Sequence, residues 1–124
     1  MVRKALIVED EEDTGQILAE HLRRWGFEPT VLTEGKPVVP WVQQHHPDLI
    51  LLDLLLPTML GMQVCQELRA VDRTCNIPII MTTQADSEAD ELAGLTGGAD
   101  DYVAKPYNPD LLVTRIQKQL RRKG

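Results

Sequence analysis

Three carboxylates follow two short apolar segments of the sequence. Glu9 and Asp10 come directly after the first segment, Ala5–Val8, and Asp53 comes directly after Leu49–Leu52. Three carboxylates brought together repel one another, and oxygen ligands at that density favour a divalent cation. Mg2+ fits such a set, with Mn2+ as a second choice, because it takes one or two carboxylates and leaves room for a substrate phosphate. The residue types therefore predict a metal-assisted site for phosphate chemistry.

Hydroxyl groups and an amine follow two later apolar segments. Thr82 and Thr83 come after Ile79–Met81, and Lys105 comes after the last such segment. We interpret Thr82 as a β-branched strand residue and Thr83 as the functional one. An aspartate beside Mg2+ and a lysine can attack phosphorus as a nucleophile, because the metal and the ammonium stabilise charge on the transferring oxygens. The predicted chemistry is the formation of an aspartyl phosphate.

Strand-like and helix-like segments alternate along the chain, which predicts a parallel sheet covered by helices on both faces. The predicted strands are Ala5–Val8, Phe27–Leu32, Leu49–Leu52, Ile79–Met81 and Tyr102–Ala104. The predicted helices are an apolar stripe from Ile17 to Trp25 that is capped by Asp13 or Thr14 and ended by Gly26, the segment Gly35–His46, a stripe at Val64, Leu68 and Val71, the segment Ser87–Leu95, and a last helix opened by Pro109. We expect an α/β three-layer sandwich with a five-stranded sheet in the flavodoxin-like order 2-1-3-4-5 and five helices. In such sheets ligands bind at the carboxyl ends of the strands, which is where the acids, the hydroxyls and the amine are expected.

Composition limits the classes of protein to which the chain can belong. Its 124 residues suit one domain, 1–124, and its apolar runs are far shorter than a membrane span. The net charge of −6 argues against direct binding of nucleic acid by this domain. Two cysteines without a CxxC pair, and an N-terminal segment that turns acidic, favour a cytoplasmic location over secretion. The basic residues of 121–124 complement the negative end of the last helix or begin a linker to an absent effector domain.

Several short motifs, in register along the chain, carry a resemblance to a known family. They are Val8-Glu9-Asp10-Glu11, Leu51-Leu52-Asp53-Leu54-Leu55-Leu56-Pro57, Gly61, Met81-Thr82-Thr83, Gly98-Ala99-Asp100-Asp101-Tyr102 and Lys105-Pro106. In this order and at these spacings, the chain resembles a two-component response-regulator receiver domain. The resemblance implies that Asp53 accepts a phosphoryl group from the phosphohistidine of a sensor histidine kinase or a histidine phosphotransfer protein.

The resemblance also implies roles for the residues around the phosphoacceptor. The implied Mg2+ ligands are Glu9, Asp10, Asp53 and the backbone carbonyl of Leu55. Thr83 would close its hydroxyl onto the phosphoryl group, Lys105 would pair with that group, and the Lys105–Pro106 bond would be cis. Tyr102 would be the aromatic side chain whose rotamer reports the switch. From its residue type we also expect Tyr102 to be a packing residue, half-buried with its hydroxyl in water.

The resemblance extends to a surface formed by the predicted fourth helix, fifth strand and fifth helix. The winged-helix transcription-factor branch of the family uses this surface for dimers, and its counterparts here are Asp100, Asp101, Arg115 and Arg122. Asp101 and Arg115 would pair between the subunits of a phosphorylation-promoted homodimer. Glu91 and Leu111 depart from the charges usual in that branch, so one expected salt bridge is missing. The surface fits a dimer or another effector partner.

Three other functions remain as alternatives. An aspartate-nucleophile phosphatase would need a second acid two residues after the nucleophile, and Leu55 stands there. A flavin carrier would need a phosphate-cradling loop after the first strand, and this chain has the acidic run Glu9–Asp13. A receiver that acts as a scaffold without phosphorylation stays open, because Gln84 stands where receivers generally have a small residue. We therefore expect no enzyme activity beyond Mg2+-dependent self-phosphorylation and autodephosphorylation.

Overall fold

The five predicted strands form one parallel sheet in a computed structural model of the chain, which describes residues 2–84 and 97–123. The strands are β1 (Arg3–Val8), β2 (Phe27–Leu32), β3 (Leu49–Leu52), β4 (Ile79–Thr83) and β5 (Asp101–Ala104). The described residues form the helices α1 (Glu12–Arg24), α2 (Val38–His45), α3 (Gly61–Arg69) and α4 (Pro109–Lys123). The predicted helix at Ser87–Leu95 lies outside the described residues. None of the described helices is long and apolar enough to cross a membrane.

The order of the sheet is β2-β1-β3-β4-β5, as predicted, and every neighbouring pair of strands is parallel. Val8 of β1 lies opposite Leu52 of β3, and Leu52 in turn lies opposite Met81 of β4. The carboxyl ends of the three central strands therefore lie side by side. The residues that follow these ends share one edge of the sheet, where ligand sites form in this architecture.

Alternate residues of the central strands point into two separate apolar clusters. Leu6 and Val8 of β1 pack with residues of α2 and α3, whereas Ala5 and Ile7 pack with residues of α1 and α4. All four residues of β3 are fully buried, as expected for a parallel strand covered on both faces. The two clusters produce the predicted three-layer arrangement, with the sheet as its central layer.

The start of α1 and its buried face differ from the prediction. The N-cap is Glu11, and not Asp13 or Thr14 as predicted, and the helix begins at Glu12. Ile17 is 61% exposed, because the buried stripe is formed by Gly15, Leu18, Ala19 and Leu22 at helical spacing. Gly26 follows the helix at a φ of +92°, a left-handed conformation that glycine adopts at least cost, as predicted for the residue that ends α1.

Two other helices are shorter than predicted. Helix α2 begins at Val38 and not at Gly35. Gly35 lies in the preceding loop, where its N–H donates to the Pro57 carbonyl at 3.0 Å and where a Cβ atom would lie 2.0 Å from the Met59 carbonyl oxygen. Pro40 is tolerated in the first turn, where backbone N–H groups lack a partner within the helix. Helix α3 ends at Arg69, so Val71 belongs to the loop before β4.

Arg69 clamps the edge of the sheet opposite the carboxyl ends. Its guanidinium donates to three backbone carbonyl oxygens, those of Cys75, Ile77 and Gly98, at 2.7–2.9 Å. It also donates to Asp100 Oδ2 at 2.8 Å, and the same oxygen accepts the backbone N–H of Ile79 at 2.8 Å. The side chains of Arg69 and Asp100 are only 18% and 16% exposed. The clamp therefore joins the end of α3 to the first residue of β4 and to the segment before β5.

We expect Arg69→Ala to lower the free energy of unfolding by about 2–4 kcal/mol, because it removes the counter-charge of the mostly buried Asp100 carboxylate and one donor from each of three backbone carbonyl groups. Urea denaturation of both proteins measures the difference. Arg73→Ala is the matched control. Arg73 is exposed and its one hydrogen bond among the described residues is with His46 Nε2 at 3.0 Å, so its loss should cost less than about 0.5 kcal/mol. Equal losses in the two variants would contradict the clamp.

Candidate functional site

Three carboxylates meet at the carboxyl edge of the sheet. One oxygen from each of Glu9, Asp10 and Asp53 lies within 4.8 Å of the other two. Glu9 and Asp53 are 2% and 5% exposed, whereas Asp10 is exposed. Backbone bonds continue the sheet into the site, since Asp53 N–H donates to the Val8 carbonyl at 3.1 Å. The acids predicted from the sequence to form a cluster are therefore adjacent, with two of them buried and one open to solvent.

Glu9 is a buried carboxylate held by two donors. Lys105 Nζ donates to Glu9 Oε1, and the backbone N–H of Glu11 donates to Glu9 Oε2 at 3.1 Å. Burial raises the pKa of Glu9, and the hydrogen bonds from Lys105 and Glu11 offset part of that rise. The charged form of Glu9 is therefore stabilised by its two donors, Lys105 and the Glu11 N–H.

Lys105 bridges the two buried acids. Besides Glu9, its Nζ donates to Asp53 Oδ2 at 3.0 Å, and its side chain is 9% exposed. Burial by itself lowers the pKa of Lys105, but the hydrogen bonds and the charges of Glu9 and Asp53 outweigh burial and raise that pKa. The residue therefore carries a firmly held positive charge beside the candidate nucleophile. The Lys105–Pro106 bond is cis, as predicted.

The loop after β3 holds Asp53 in place. Asp53 Oδ1 accepts the backbone N–H of Leu55 at 3.1 Å, so both of its carboxylate oxygens have a donor. Gly61, at the start of α3, passes so close that a Cβ atom there would lie 2.0 Å from the Asp53 carbonyl oxygen. A residue with a side chain would displace this loop, which explains the glycine of the motif.

The donor set fits a magnesium ion. Carboxylate oxygens are the hard ligands that Mg2+ takes, and the exposed Asp10 can reach an ion that enters from solvent. The positive charge of Lys105 balances part of the repulsion between Glu9 and Asp53. The backbone carbonyl of Leu55 stays a predicted fourth ligand.

The two predicted switch residues, Thr83 and Tyr102, belong to the neighbouring strands β4 and β5. Thr83 is the last residue of β4 and lies opposite Ala104, while its side chain is outside the described part of the chain. Tyr102 belongs to the cluster of apolar residues on the α2–α3 face, and its hydroxyl oxygen is buried. The expectation that this hydroxyl lies in water is therefore wrong. Tyr102 is a packing residue in this structure.

The acids predicted for a dimer surface have partners within the chain. Asp101 Oδ1 accepts from Arg115 Nη1 at 2.7 Å, and Asp100 accepts from Arg69. The sequence did not predict these ion pairs within the chain. We expected Asp101 and Arg115 to pair between subunits, whereas they pair with each other within one chain. Arg122 is exposed. The dimer itself stays a prediction.

Two hydrogen-bond donors at the site could not be predicted from the sequence. They are the backbone N–H groups of Glu11 and Leu55, which bind the carboxylates of Glu9 and Asp53. Every residue except proline carries such a group, so no side-chain motif marks one that serves a site. Only the course of the two loops reveals them.

Comparisons with known proteins agree with this geometry. The protein-family model described as "Response regulator receiver domain" matches residues 5–117. The transcriptional regulatory protein BaeR of Escherichia coli is 48% identical over 119 residues, which are 96% of this chain and 48% of BaeR. The chain thus spans about half the length of the curated relatives it matches.

Solved structures show the same fold. The BeF3-activated N-terminal receiver domain of Klebsiella pneumoniae RstA has a TM-score of 0.89 and 32% identity, covering 96% of this chain and 99% of that one. The receiver domain of the sensor histidine kinase PA1611 from Pseudomonas aeruginosa has a TM-score of 0.90 and 28% identity, covering 97% and 98%. The PA1611 structure has a magnesium ion coordinated in its active site cleft.

Proposed function

The chain belongs to the response regulator receiver domain family, and from this premise we propose that it is a phosphorylation-controlled switch that accepts a phosphoryl group on Asp53. The observation that carries the proposal is the constellation of Glu9, Asp10, Asp53 and Lys105 at one edge of the sheet. Three acids and one buried amine suit phosphoryl transfer to a carboxylate. The donor would be the phosphohistidine of a sensor histidine kinase or histidine phosphotransfer protein.

In the proposed step a carboxylate oxygen of Asp53 attacks the phosphorus of the phosphohistidine. The P–N bond breaks and its electron pair stays on the imidazole nitrogen. The Lys105 ammonium, already bound to Asp53 at 3.0 Å, balances negative charge as it moves onto the aspartyl phosphate. When bound by Glu9, Asp10, Asp53 and the Leu55 carbonyl, Mg2+ would neutralise charge on the phosphoryl oxygens.

The relatives support this proposal in two respects. The magnesium ion in the active site cleft of the PA1611 receiver domain supports Mg2+ as the cofactor here, with Mn2+ as a substitute. The name of BaeR, a transcriptional regulatory protein about twice as long as this chain, supports an output in transcription regulation. An aspartate-nucleophile phosphatase needs a second acid two residues after the nucleophile, and Leu55 stands there. We therefore propose that Asp53 is itself phosphorylated and that the chain does not hydrolyse external substrates.

The proposed output begins with a charge of about −1.5 to −2 added to Asp53. Thr83 would bind the phosphoryl group through its hydroxyl, and Tyr102 would repack in response. The surface that would change includes β5 and the last helix, α4, where Asp101 and Arg115 form an ion pair. Self-association or effector binding through this surface is the proposed readout.

The proposal is tested by the intact mass of the protein after incubation with acetyl phosphate and Mg2+. We expect a gain of one phosphoryl group, because acetyl phosphate supplies an activated phosphoryl group without a kinase. Excess chelator should prevent the gain, since three neighbouring carboxylates repel an anionic donor. A gain of equal size in chelator would exclude the metal-dependent mechanism, and no gain in either condition would exclude the acceptor function.

Magnesium binding should also raise the melting temperature of the unphosphorylated protein. At about ten times its dissociation constant, an ion that binds only the folded state adds about 1.4 kcal/mol, or about 3–6 °C for a chain of this size. Asp10→Asn should remove most of this rise, because Asp10 is one of the three ligands. Asp13→Asn, an exposed acid in the first turn of α1, is the control that should keep it. Melting curves that do not move with millimolar Mg2+ would contradict the assembled site.

A further inference from the structure

Thr58, in the loop 53–60 between β3 and α3, has a left-handed backbone conformation with a φ of +65°. A β-branched residue rarely adopts this conformation, because its Cβ then lies too close to the following carbonyl oxygen. Residues held in such conformations cluster at functional sites, and they persist where contacts around them fix the backbone. The same loop begins with Asp53, the candidate phosphoacceptor. The contacts that hold Thr58 therefore bear on the site.

Two hydrogen bonds fasten the loop 53–60 to the loop before α2. Thr58 Oγ1 accepts the backbone N–H of Lys36 at 3.0 Å, and the carbonyl of Pro57 accepts the N–H of Gly35 at 3.0 Å. Lys36 takes part through its backbone N–H, which every replacement except proline keeps. These two bonds form a latch between the loops, and the Thr58 hydroxyl supplies its side-chain part.

The latched loop carries backbone groups of the candidate site. The N–H of Leu55 donates to Asp53 Oδ1 at 3.1 Å, and the Leu55 carbonyl is the predicted fourth magnesium ligand. The Leu55 side chain is 59% exposed, so its packing does little to fix the backbone there. The loop is anchored instead by the buried side chain of Leu56, by the bond from the Gly61 N–H to the Leu54 carbonyl at 2.9 Å, and by the latch. The position of the Leu55 backbone therefore depends on these anchors.

Resting on the proposed function, we propose that Thr58 is a positioning residue whose hydroxyl latches the loop 53–60 and so keeps the Leu55 backbone in place beside Asp53. The inference deepens that function by naming a residue outside the cluster of acids and amine that sets how firmly the site holds Mg2+. Thr58 acts through the N–H and carbonyl of Leu55, and not on the reacting atoms.

The latch also explains why a threonine occupies a left-handed position. Glycine adopts a positive φ without steric cost, but it has no side-chain oxygen to accept the Lys36 N–H. The hydrogen bond at 3.0 Å offsets part of the conformational cost of threonine. An acceptor is therefore present at a position where the backbone conformation favours glycine.

The test compares three substitutions of Thr58. Thr58→Val keeps the β-branched shape without the hydroxyl, Thr58→Gly adopts the left-handed φ freely without the hydroxyl, and Thr58→Ser keeps the hydroxyl. Thr114→Val is the matched control, because Thr114 is an exposed threonine of α4 whose hydroxyl donates to the Asp110 carbonyl at 2.9 Å. Circular dichroism melts check that each variant is folded.

The first measurement is amide hydrogen exchange of Leu55 in chelator, followed by NMR, which needs neither metal nor phosphorylation. We expect exchange to be about twofold to tenfold faster in Thr58→Val and Thr58→Gly, because loss of one hydrogen bond raises the open fraction of the loop by about this factor. Thr58→Ser and Thr114→Val should exchange at the rate of the unchanged protein.

The second measurement is the Mg2+ dissociation constant of the unphosphorylated proteins, by calorimetric titration with magnesium chloride. We expect this constant to rise by about twofold to fivefold in Thr58→Val and Thr58→Gly, because molecules with an open loop lack the Leu55 ligand. Thr58→Ser and Thr114→Val should bind Mg2+ like the unchanged protein. A residue that only stabilised the fold would lower the melting temperature and leave the dissociation constant as it is.

Equal Leu55 exchange in Thr58→Val and the unchanged protein would overturn the latch. Thr58→Gly that matches the unchanged protein would also overturn it, because the left-handed conformation would then suffice without the hydroxyl. Faster exchange with an unchanged Mg2+ dissociation constant would overturn the positioning role. If the unchanged protein neither binds Mg2+ nor gains a phosphoryl group, the proposed function fails together with the metal part of this inference, and the exchange rates decide the latch by themselves.

Discussion

Asp53→Asn is expected to abolish the phosphoryl gain completely. The amide that replaces the carboxylate keeps nearly the same shape and can still accept the Leu55 N–H, but its oxygen is a far weaker nucleophile. The amide would also carry no charge to pair with Lys105, which lies 3.0 Å from Asp53 in the unchanged protein. Intact mass after acetyl phosphate and Mg2+ measures the result, with the unchanged protein in parallel.

Asp72→Asn is the matched control for this substitution. Asp72 is an exposed acid in the loop between α3 and β4, at the opposite edge of the sheet from the site. It should gain a phosphoryl group at the rate of the unchanged protein. A phosphoryl group that persists on Asp53→Asn would place the acceptor elsewhere and would remove the central residue of the proposed function.

The sheet and its site edge were predictable because the hydrophobic pattern reports burial directly. The run Leu49–Leu52 has no polar residue to face solvent, and it is buried on both faces in the structure. Helix limits were less predictable, because contacts distant in sequence set them. The sequence predicts a helix from Gly35, but the N–H of Gly35 donates to the carbonyl of Pro57, in the loop after β3, at 3.0 Å, and the helix begins at Val38. The exposure of Ile17 has a local cause instead, because Gly15 and Leu18 form the buried face of α1 and Ile17 lies outside it.

The candidate site was predictable in its residue types and less so in its contacts. Acids that follow the neighbouring parallel strands β1 and β3 must lie close together, and Glu9 and Asp53 do. Lys105 follows β5, which β4 separates from β3, and its side chain reaches both acids. The sequence could not show that the amine binds both acids, since this depends on the path of the loop after β5. Nor could it show that Asp100 serves the Arg69 clamp, because Arg69 lies 31 residues away on another element.

Lys105→Met is expected to slow phosphorylation by about 10²–10³-fold, the usual cost of removing one preorganised charge from a transferring group. Methionine keeps an unbranched apolar stem of similar length and removes the ammonium that bridges Glu9 and Asp53. The rate of phosphoryl gain from acetyl phosphate measures the loss. Lys36→Met, an exposed lysine in the loop before α2, is the matched control and should leave the rate unchanged.

In the presence of chelator, Lys105→Met should also lower the free energy of unfolding, by an amount that depends on pH. Two buried carboxylates without their cation should cost about 1–3 kcal/mol of unfolding free energy near pH 8. Burial already raises the pKa of Glu9, and loss of the Lys105 hydrogen bond and charge raises that pKa further. A carboxyl whose folded-state pKa is raised contributes most stability when protonated and loses it as pH rises through that pKa. The deficit of Lys105→Met should therefore shrink as the pH falls toward about 5.

Urea denaturation of both proteins at the two pH values, with Lys36→Met alongside, decides between this account and a purely steric one. A deficit of constant size would mean that methionine simply packs badly between Glu9 and Asp53. A deficit that grows as the pH falls would mean that Glu9 holds its proton less tightly without the amine, contrary to the hydrogen bond and charge that Lys105 supplies to it. Only a deficit that shrinks toward acid assigns the loss to uncompensated charge, which is the same property that makes Lys105 a counter-charge for an incoming phosphoryl group.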